Sequence, residues 1–284
     1  MAPVGQVPAG EVIDLPDRGS TYVYDSGPSD GPTYLLLHSL ACTGLMTWYP
    51  ALDVVREFGR VVVFDQRCHG QGISSPRILL EDCADDVAAL ADALGISSFV
   101  PVGYSMGSLV AQLVWQRHRE RVDGLVLCAA AAAVSRARYE RLATGLFASV
   151  IEALGPAPRR CEPSAAVTSG VFPDHQWVLG QFRATSPGGV TRAIAEVLRF
   201  DSTTWVGEID VPTSVLVTSK DRAFGVQRQK WLADRIPGAE VVMVEAGHAG
   251  CTLQPAVFVP GLRQAIESVH RRLPLPRGVE RTAR

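Results

Sequence analysis

Hydrophobic residues fall along this chain in short continuous runs separated by stretches of helical period. Thr33-Tyr-Leu-Leu-Leu37, Arg60-Val-Val-Val-Phe64, Val100-Pro-Val102 and Gly124-Leu-Val-Leu-Cys128 are too short for helices and apolar on both faces. Such runs predict strands buried on both sides, as in a parallel sheet. Between them the pattern changes. A helix is predicted from Pro50 to Phe58, and another over residues 79–94, with Val87, Leu90 and Leu94 on one face and Gly95 as its stop. A third follows Ser105, where Leu109, Val110, Leu113 and Val114 form one stripe. Strand and helix alternate, which implies a parallel sheet with right-handed crossovers. Residues 11–15 and 20–25, flanked by Pro/Gly turns, predict a leading hairpin.

The alternation stops between residues 131 and 209. Leu142, Leu146, Val150 and Leu154 have helical spacing, joined by Phe147 and Ile151; Ile194, Val197 and Leu198 mark a second helix. Wide apolar faces on such helices imply that they lie over something. The α/β pattern resumes with strands at Ser214–Val217 and Glu240–Val244, a helix near 226–236 and a last helix carrying Phe258, Leu262, Ile266 and Val269. The expected organisation is a core domain of residues 1–130 and 210–273, a helical cap insertion at 131–209 and a frayed Pro/Arg tail at 274–284.

Composition narrows the function classes. With 284 residues and 47% hydrophobic content, the chain can bury one large α/β core. A formal net charge of −2, with both signs dispersed, argues against a nucleic-acid partner. No apolar run is long enough to span a bilayer, and the first residues lack a signal-peptide pattern, so a cytoplasmic protein without stable membrane insertion is expected. The six cysteines have no metal-site spacing and read as reduced thiols, with a pairing among Cys42, Cys68 and Cys251 as the alternative.

The chemistry concentrates at Gly103-Tyr-Ser105-Met-Gly107, which follows a strand and opens a helix. That context makes Gly-x-Ser-x-Gly a nucleophile elbow: glycines admit a sharp turn, and the serine hydroxyl stands above the sheet. A serine hydroxyl needs a base, and the base an orienting acid. In this motif class they follow in the order acid, then histidine, each after a strand. Asp221 and His248 occupy those places, at the strand ends where open α/β sheets build sites. Asp65 precedes the serine, Asp201 and Asp210 precede their strand, and Glu245 is too near His248, so Asp221 is the expected acid. Backbone N–H groups of Leu40 and Met106 are the expected oxyanion donors. His38 and His69 are assigned to loop geometry, His118 and His270 to solvated helix ends.

Together these segments resemble the α/β-hydrolase family, in its capped branch of esterases, lactonases, C–C hydrolases and cofactor-free haloperoxidases. The likeness spans about residues 20–270 and rests on His38-Ser39-Leu40, Asp65-Gln-Arg67-Cys-His69-Gly70, Gly103–Gly107, Asp221 and Gly247-His248. The segment Glu81-Asp-Cys-Ala-Asp-Asp86, with Trp115–His118 and Leu125–Ala129, resembles an actinobacterial subgroup. The resemblance implies a mostly parallel eight-stranded sheet flanked by helices, with a helical cap, and catalysis without metal or cofactor. Three departures stand out: Ser39, Cys68 and Ser108 replace glycines usual in the family. Ser39 and Cys68 are expected to narrow the oxyanion region or the acyl pocket. An aspartate nucleophile would mark dehalogenases and epoxide hydrolases; Ser105 points elsewhere.

The expected function is hydrolysis of a hydrophobic carboxylic ester through an acyl-enzyme, by a monomer or homodimer. Ser39, Leu146, Phe147 and Trp177 are the expected pocket residues. The alternatives keep the same serine but change the electrophile or acceptor: lactone, thioester, C–C bond, acyl transfer or peracid formation. A non-catalytic ligand-binding protein of the same fold is the third reading.

Overall fold

A computed structural model describes residues 6–134, 145–150, 170–171 and 174–273. Its centre is an eight-stranded sheet. In chain order the strands of the molecule are β1 (Gln6–Val7), β2 (Glu11–Leu15), β3 (Gly19–Asp25), β4 (Thr33–Leu37), β5 (Arg60–Phe64), β6 (Val100–Tyr104), β7 (Leu125–Cys128), β8 (Gly170–Val171), β9 (Thr213–Thr218) and β10 (Glu240–Val244). The sheet runs β10-β9-β7-β6-β4-β5-β3-β2. From β10 to β5 every pairing is parallel; β3 pairs antiparallel with both β5 and β2.

The apolar runs occupy the places their patterning predicts. Leu35, Leu36, Val62, Val102, Val126 and Val215 are wholly buried, because helices cover both faces of the parallel strands. One layer is filled by Val87, Leu90, Leu109, Val110 and Val114 from the helices Leu80–Ala93 and Met106–Arg117. The other is filled by Trp48, Val55, Phe258, Leu262 and Ile266. The final helix, Pro255–His270, opens on a proline whose missing N–H costs nothing in a first turn, where that donor has no intrahelical acceptor. Among the described residues, no helix is long and apolar enough to cross a membrane.

Three details depart from the patterning. The helix expected from Pro50 to Phe58 is shorter, Leu52–Arg56, and a separate helix, Gly44–Trp48, precedes it. Thr43 caps that first turn by accepting the Met46 N–H at 3.2 Å. Gln6–Val7 pairs antiparallel with Gly170–Val171, tying the chain start to the 131–209 segment. His118 and His270 are also engaged rather than simply solvated: His118 Nε2 lies 2.9 Å from Asp85 and His270 Nδ1 lies 2.9 Å from the Tyr34 hydroxyl.

Within 131–209 residues 145–150 are helical, and the longer described helices are Asp174–Arg183 and Pro187–Arg199. The core grips them by polar contacts: Thr43 donates to Gln181, and the Gly70 N–H donates to Thr185 at 3.1 Å. Leu142, Ile151, Leu154, Cys161 and the tail 274–284 lie outside the described residues.

Candidate active site

Ser105 stands at the end of β6 with φ 53° and ψ −116°, a strained conformation for a residue with a side chain. The turn closes because its neighbours lack side chains. A Cβ on Gly103 would come 2.3 Å from the Gly107 carbonyl oxygen, and one on Gly107 would come 2.2 Å from that of Leu37. The Ser105 N–H donates to Cys128 at 3.0 Å, tying the corner to β7. Ser108, at a position usually glycine in the resembling family, donates its hydroxyl to the Ser105 carbonyl at 2.6 Å. The unusual side chain therefore braces the strained residue.

The three residues singled out by motif order come together. Ser105 Oγ is 2.7 Å from His248 Nε2, and His248 Nδ1 is 2.8 Å from Asp221 Oδ2. The loops after β6, β9 and β10 supply one residue each, all at the same end of the sheet. The Asp221 side chain is fully buried, while that of His248 is 30% exposed and so open to a substrate. Burial pushes the Asp221 carboxyl upward. The hydrogen bond and charge of His248, with Thr218 and the Ala223 N–H, outweigh it and hold the group below the usual carboxylate range.

The loop after β4 brings Ser39 and Leu40 to the same place. Neither the Leu40 nor the Met106 N–H has an acceptor among the described residues, so both are free to donate to a bound oxygen. His38 is wholly buried behind them. Its Nε2 accepts the Gln66 N–H at 2.8 Å, so the ring proton sits on Nδ1, which donates to the Ser39 carbonyl at 2.8 Å. Burial, then the neighbouring His69, lower the His38 pKa to about 3. Burial lowers that of His69 to about 4. Both rings are neutral fixtures of loop geometry at ordinary pH.

Above the serine lies a cavity of about 450 Å³, lined by Ser39, Leu40, Met46, Phe224, Leu253 and, from the 131–209 segment, Val178, Phe182 and Val197. Such a volume suits a ligand of drug-like size. Ser39 is in this wall; the other three expected pocket residues are not. Leu146 and Phe147 are 69% and 58% exposed and do not line the cavity. Trp177 is buried against Tyr49, ring centroids 5.1 Å apart, and does not line the cavity. Its neighbour Val178 and Phe182, four residues on, face the cavity instead. One residue along a helix turns the side chain by about 100°, and sequence periodicity alone left that phase open. Cys68 is likewise outside the cavity. It holds φ 60°, the conformation that favours glycine at this position, and packs against Gly189.

Two polar residues were missed by motif reasoning. Thr218 and Gln229 donate to Asp221 Oδ2 at 2.9 and 3.2 Å. A glutamine in the buried register of the helix Val226–Arg235 was the available signal.

A parallel sheet with a strained serine at the end of β6, a carboxylate and a histidine on the loops after β9 and β10 and an apolar cavity above defines a hydrolase-type site. Residues 33–255 match the family described as alpha/beta hydrolase fold, and the chain belongs to that family. Among characterised proteins it is 26% identical to a pimeloyl-acyl-carrier-protein methyl ester esterase of Chromobacterium violaceum, over 84% of this chain and 95% of that one. It is 23% identical to 3-oxoadipate enol-lactonase 1 of Acinetobacter baylyi, over 86% and 92%. Among solved structures, a thermophilic esterase from Thermogutta terrifontis superposes with a TM-score of 0.71 and 25% identity, covering 93% of this chain and all of that one.

Proposed function

We propose that this protein is a carboxylic ester hydrolase working through an acyl-enzyme. The observation that carries the reading is the unbroken line of hydrogen bonds from Ser105 Oγ through His248 to Asp221 at the floor of an apolar cavity. In the first half-reaction, Ser105 Oγ attacks the acyl carbon as its proton passes to His248 Nε2. Asp221 keeps the other ring proton on Nδ1 and stabilises the imidazolium. Leu40 and Met106 N–H groups take the oxyanion, each contributing roughly 3 kcal/mol to transition-state stabilisation. The alcohol leaves with the proton from His248. Water, deprotonated by the same ring, then releases the acid.

Val178, Phe182 and Val197 support the assignment of 131–209 as a cap that completes the substrate wall. The apolar wall favours a neutral, hydrophobic acyl or alcohol part. A lactone is the second reading: opening one uses the same steps, and an enol-lactonase stands among the relatives. The deciding experiment is hydrolysis of p-nitrophenyl esters of increasing chain length, beside simple lactones, by wild type and Ser105→Ala. Ester turnover lost in the variant supports the proposal. No turnover of any ester by folded wild-type protein, together with no labelling of Ser105 by a fluorophosphonate, overturns it.

A further inference from the structure

We propose that Tyr104 is a positioning residue, whose phenol hydroxyl holds the backbone of His248 and so sets the base against the nucleophile. The inference rests on the serine-hydrolase reading above. Tyr104 immediately precedes Ser105, and its hydroxyl donates to the His248 carbonyl oxygen at 2.7 Å. No other donor reaches that carbonyl among the described residues. The Cys251 N–H approaches the same hydroxyl at 3.5 Å, linking it to the next turn of the histidine loop. Two consecutive residues, Tyr104 closing β6 and Ser105 just after it, thus grip His248 at both ends: Ser105 at the ring and Tyr104 at the main chain.

The hydroxyl is well placed to act as a fixed point. The Tyr104 ring is 2% exposed and wedged edge-on between Trp48, at 6.1 Å, and Phe258, at 5.2 Å. Burial pushes its pKa up, so it stays a neutral donor over the working pH range. The histidine loop is otherwise anchored either side of the ring: Lys220 N–H donates to Ala246 and Gly250 N–H to Gly247, both at 3.0 Å, Gly247 N–H donates to the Gln254 side chain at 2.8 Å, and the Cys251 and Thr252 side chains donate to the Thr47 and Met46 carbonyls at 2.9 and 3.3 Å. None of these is made to the main chain of His248 itself. Phe224 meets the His248 ring edge-on at 5.3 Å from the far side but offers no hydrogen bond to its main chain.

Tyr104→Phe keeps the packed ring and removes only the hydroxyl. With active sites counted by fluorophosphonate titration, kcat is expected to fall roughly tenfold while KM stays within about twofold, since misplacing a catalytic group costs rate rather than ground-state binding. The same substitution in a His248→Ala background should leave the residual rate unchanged, because its effect passes through His248. An unaltered kcat in Tyr104→Phe overturns the proposal. So does an equal fractional loss in the His248→Ala background, which is what a general structural role would give. Failure of the serine-hydrolase reading would be seen separately, as wild-type protein that neither turns over nor takes the label.

Discussion

The two oxygens of Asp221 serve different masters: Oδ2 faces His248 Nδ1 at 2.8 Å, and Oδ1 accepts the N–H groups of Ala223 and Phe224 at 2.8 and 3.1 Å. The carboxylate is thereby aimed before any substrate arrives. Asp221→Asn places an amide where an acceptor is needed at Nδ1. It should favour the wrong imidazole tautomer and lower kcat on the order of 10³-fold or more, with KM little changed. Steady-state kinetics with a p-nitrophenyl ester check this. Near-wild-type turnover would remove Asp221 from the mechanism.

Gly107 is the tightest point of the elbow, with its missing Cβ 2.2 Å from the Leu37 oxygen. Gly107→Ala must therefore push β4 and the Ser39–Leu40 loop away from the serine. The expected cost is roughly 1–3 kcal/mol in stability. A larger loss appears in kcat, because the Leu40 N–H moves with the loop. Urea unfolding and kinetics on one preparation test both; an unaltered kcat would show that Leu40 is not a donor.

Phe182 borders the cavity while remaining 49% exposed, which places it at the mouth rather than the floor. Phe182→Ala should shift the preferred ester toward bulkier or longer chains. KM for the short ones should rise about three- to tenfold, the cost of one lost apolar contact of roughly 1 kcal/mol. Chain-length profiles of the two proteins would decide. Identical profiles would place the chain elsewhere in the cavity.

The buried groups behind the oxyanion loop predict an acid-sensitive fold. His38 and His69 have pKa values lowered to about 3 and about 4, so the stability they contribute is complete above their ordinary value, about 6.5, and is lost as pH falls through those folded values. Asp65 works the other way. Burial raises it to about 6, against the Gln71 and Gly44 N–H donors, so its contribution is complete below the ordinary carboxylate value and lost as pH rises through 6. Near pH 5, two histidines oppose one carboxyl, and stability should rise by about 1.4 kcal/mol per pH unit from these groups. His69→Gln leaves one against one and should flatten the slope between pH 4.5 and 5.5. Urea melts at several pH values measure it, and an unchanged slope would refute the assignment.

Much of this protein was legible in its residues taken in order. Continuous apolar runs such as Thr33–Leu37 and Arg60–Phe64 can satisfy both faces only inside a parallel sheet, and their alternation with helical stretches set the architecture. The elbow was equally readable: a glycine either side of Ser105 is a local steric requirement. Asp221 and His248 followed from chain order, since each lies in the loop just after a strand of the same sheet. What lay beyond the sequence depends on contacts between distant segments. Which side of the helix Asp174–Arg183 faces the cavity is a rotational phase, decided by Trp177 docking on Tyr49 and not by spacing. The hold of Tyr104 on His248 joins residues 144 positions apart, and no local pattern encodes that distance. Local sterics and periodicity thus determined the sheet and the elbow. Long-range packing alone chose the walls of the cavity and the partners that steady its charged groups.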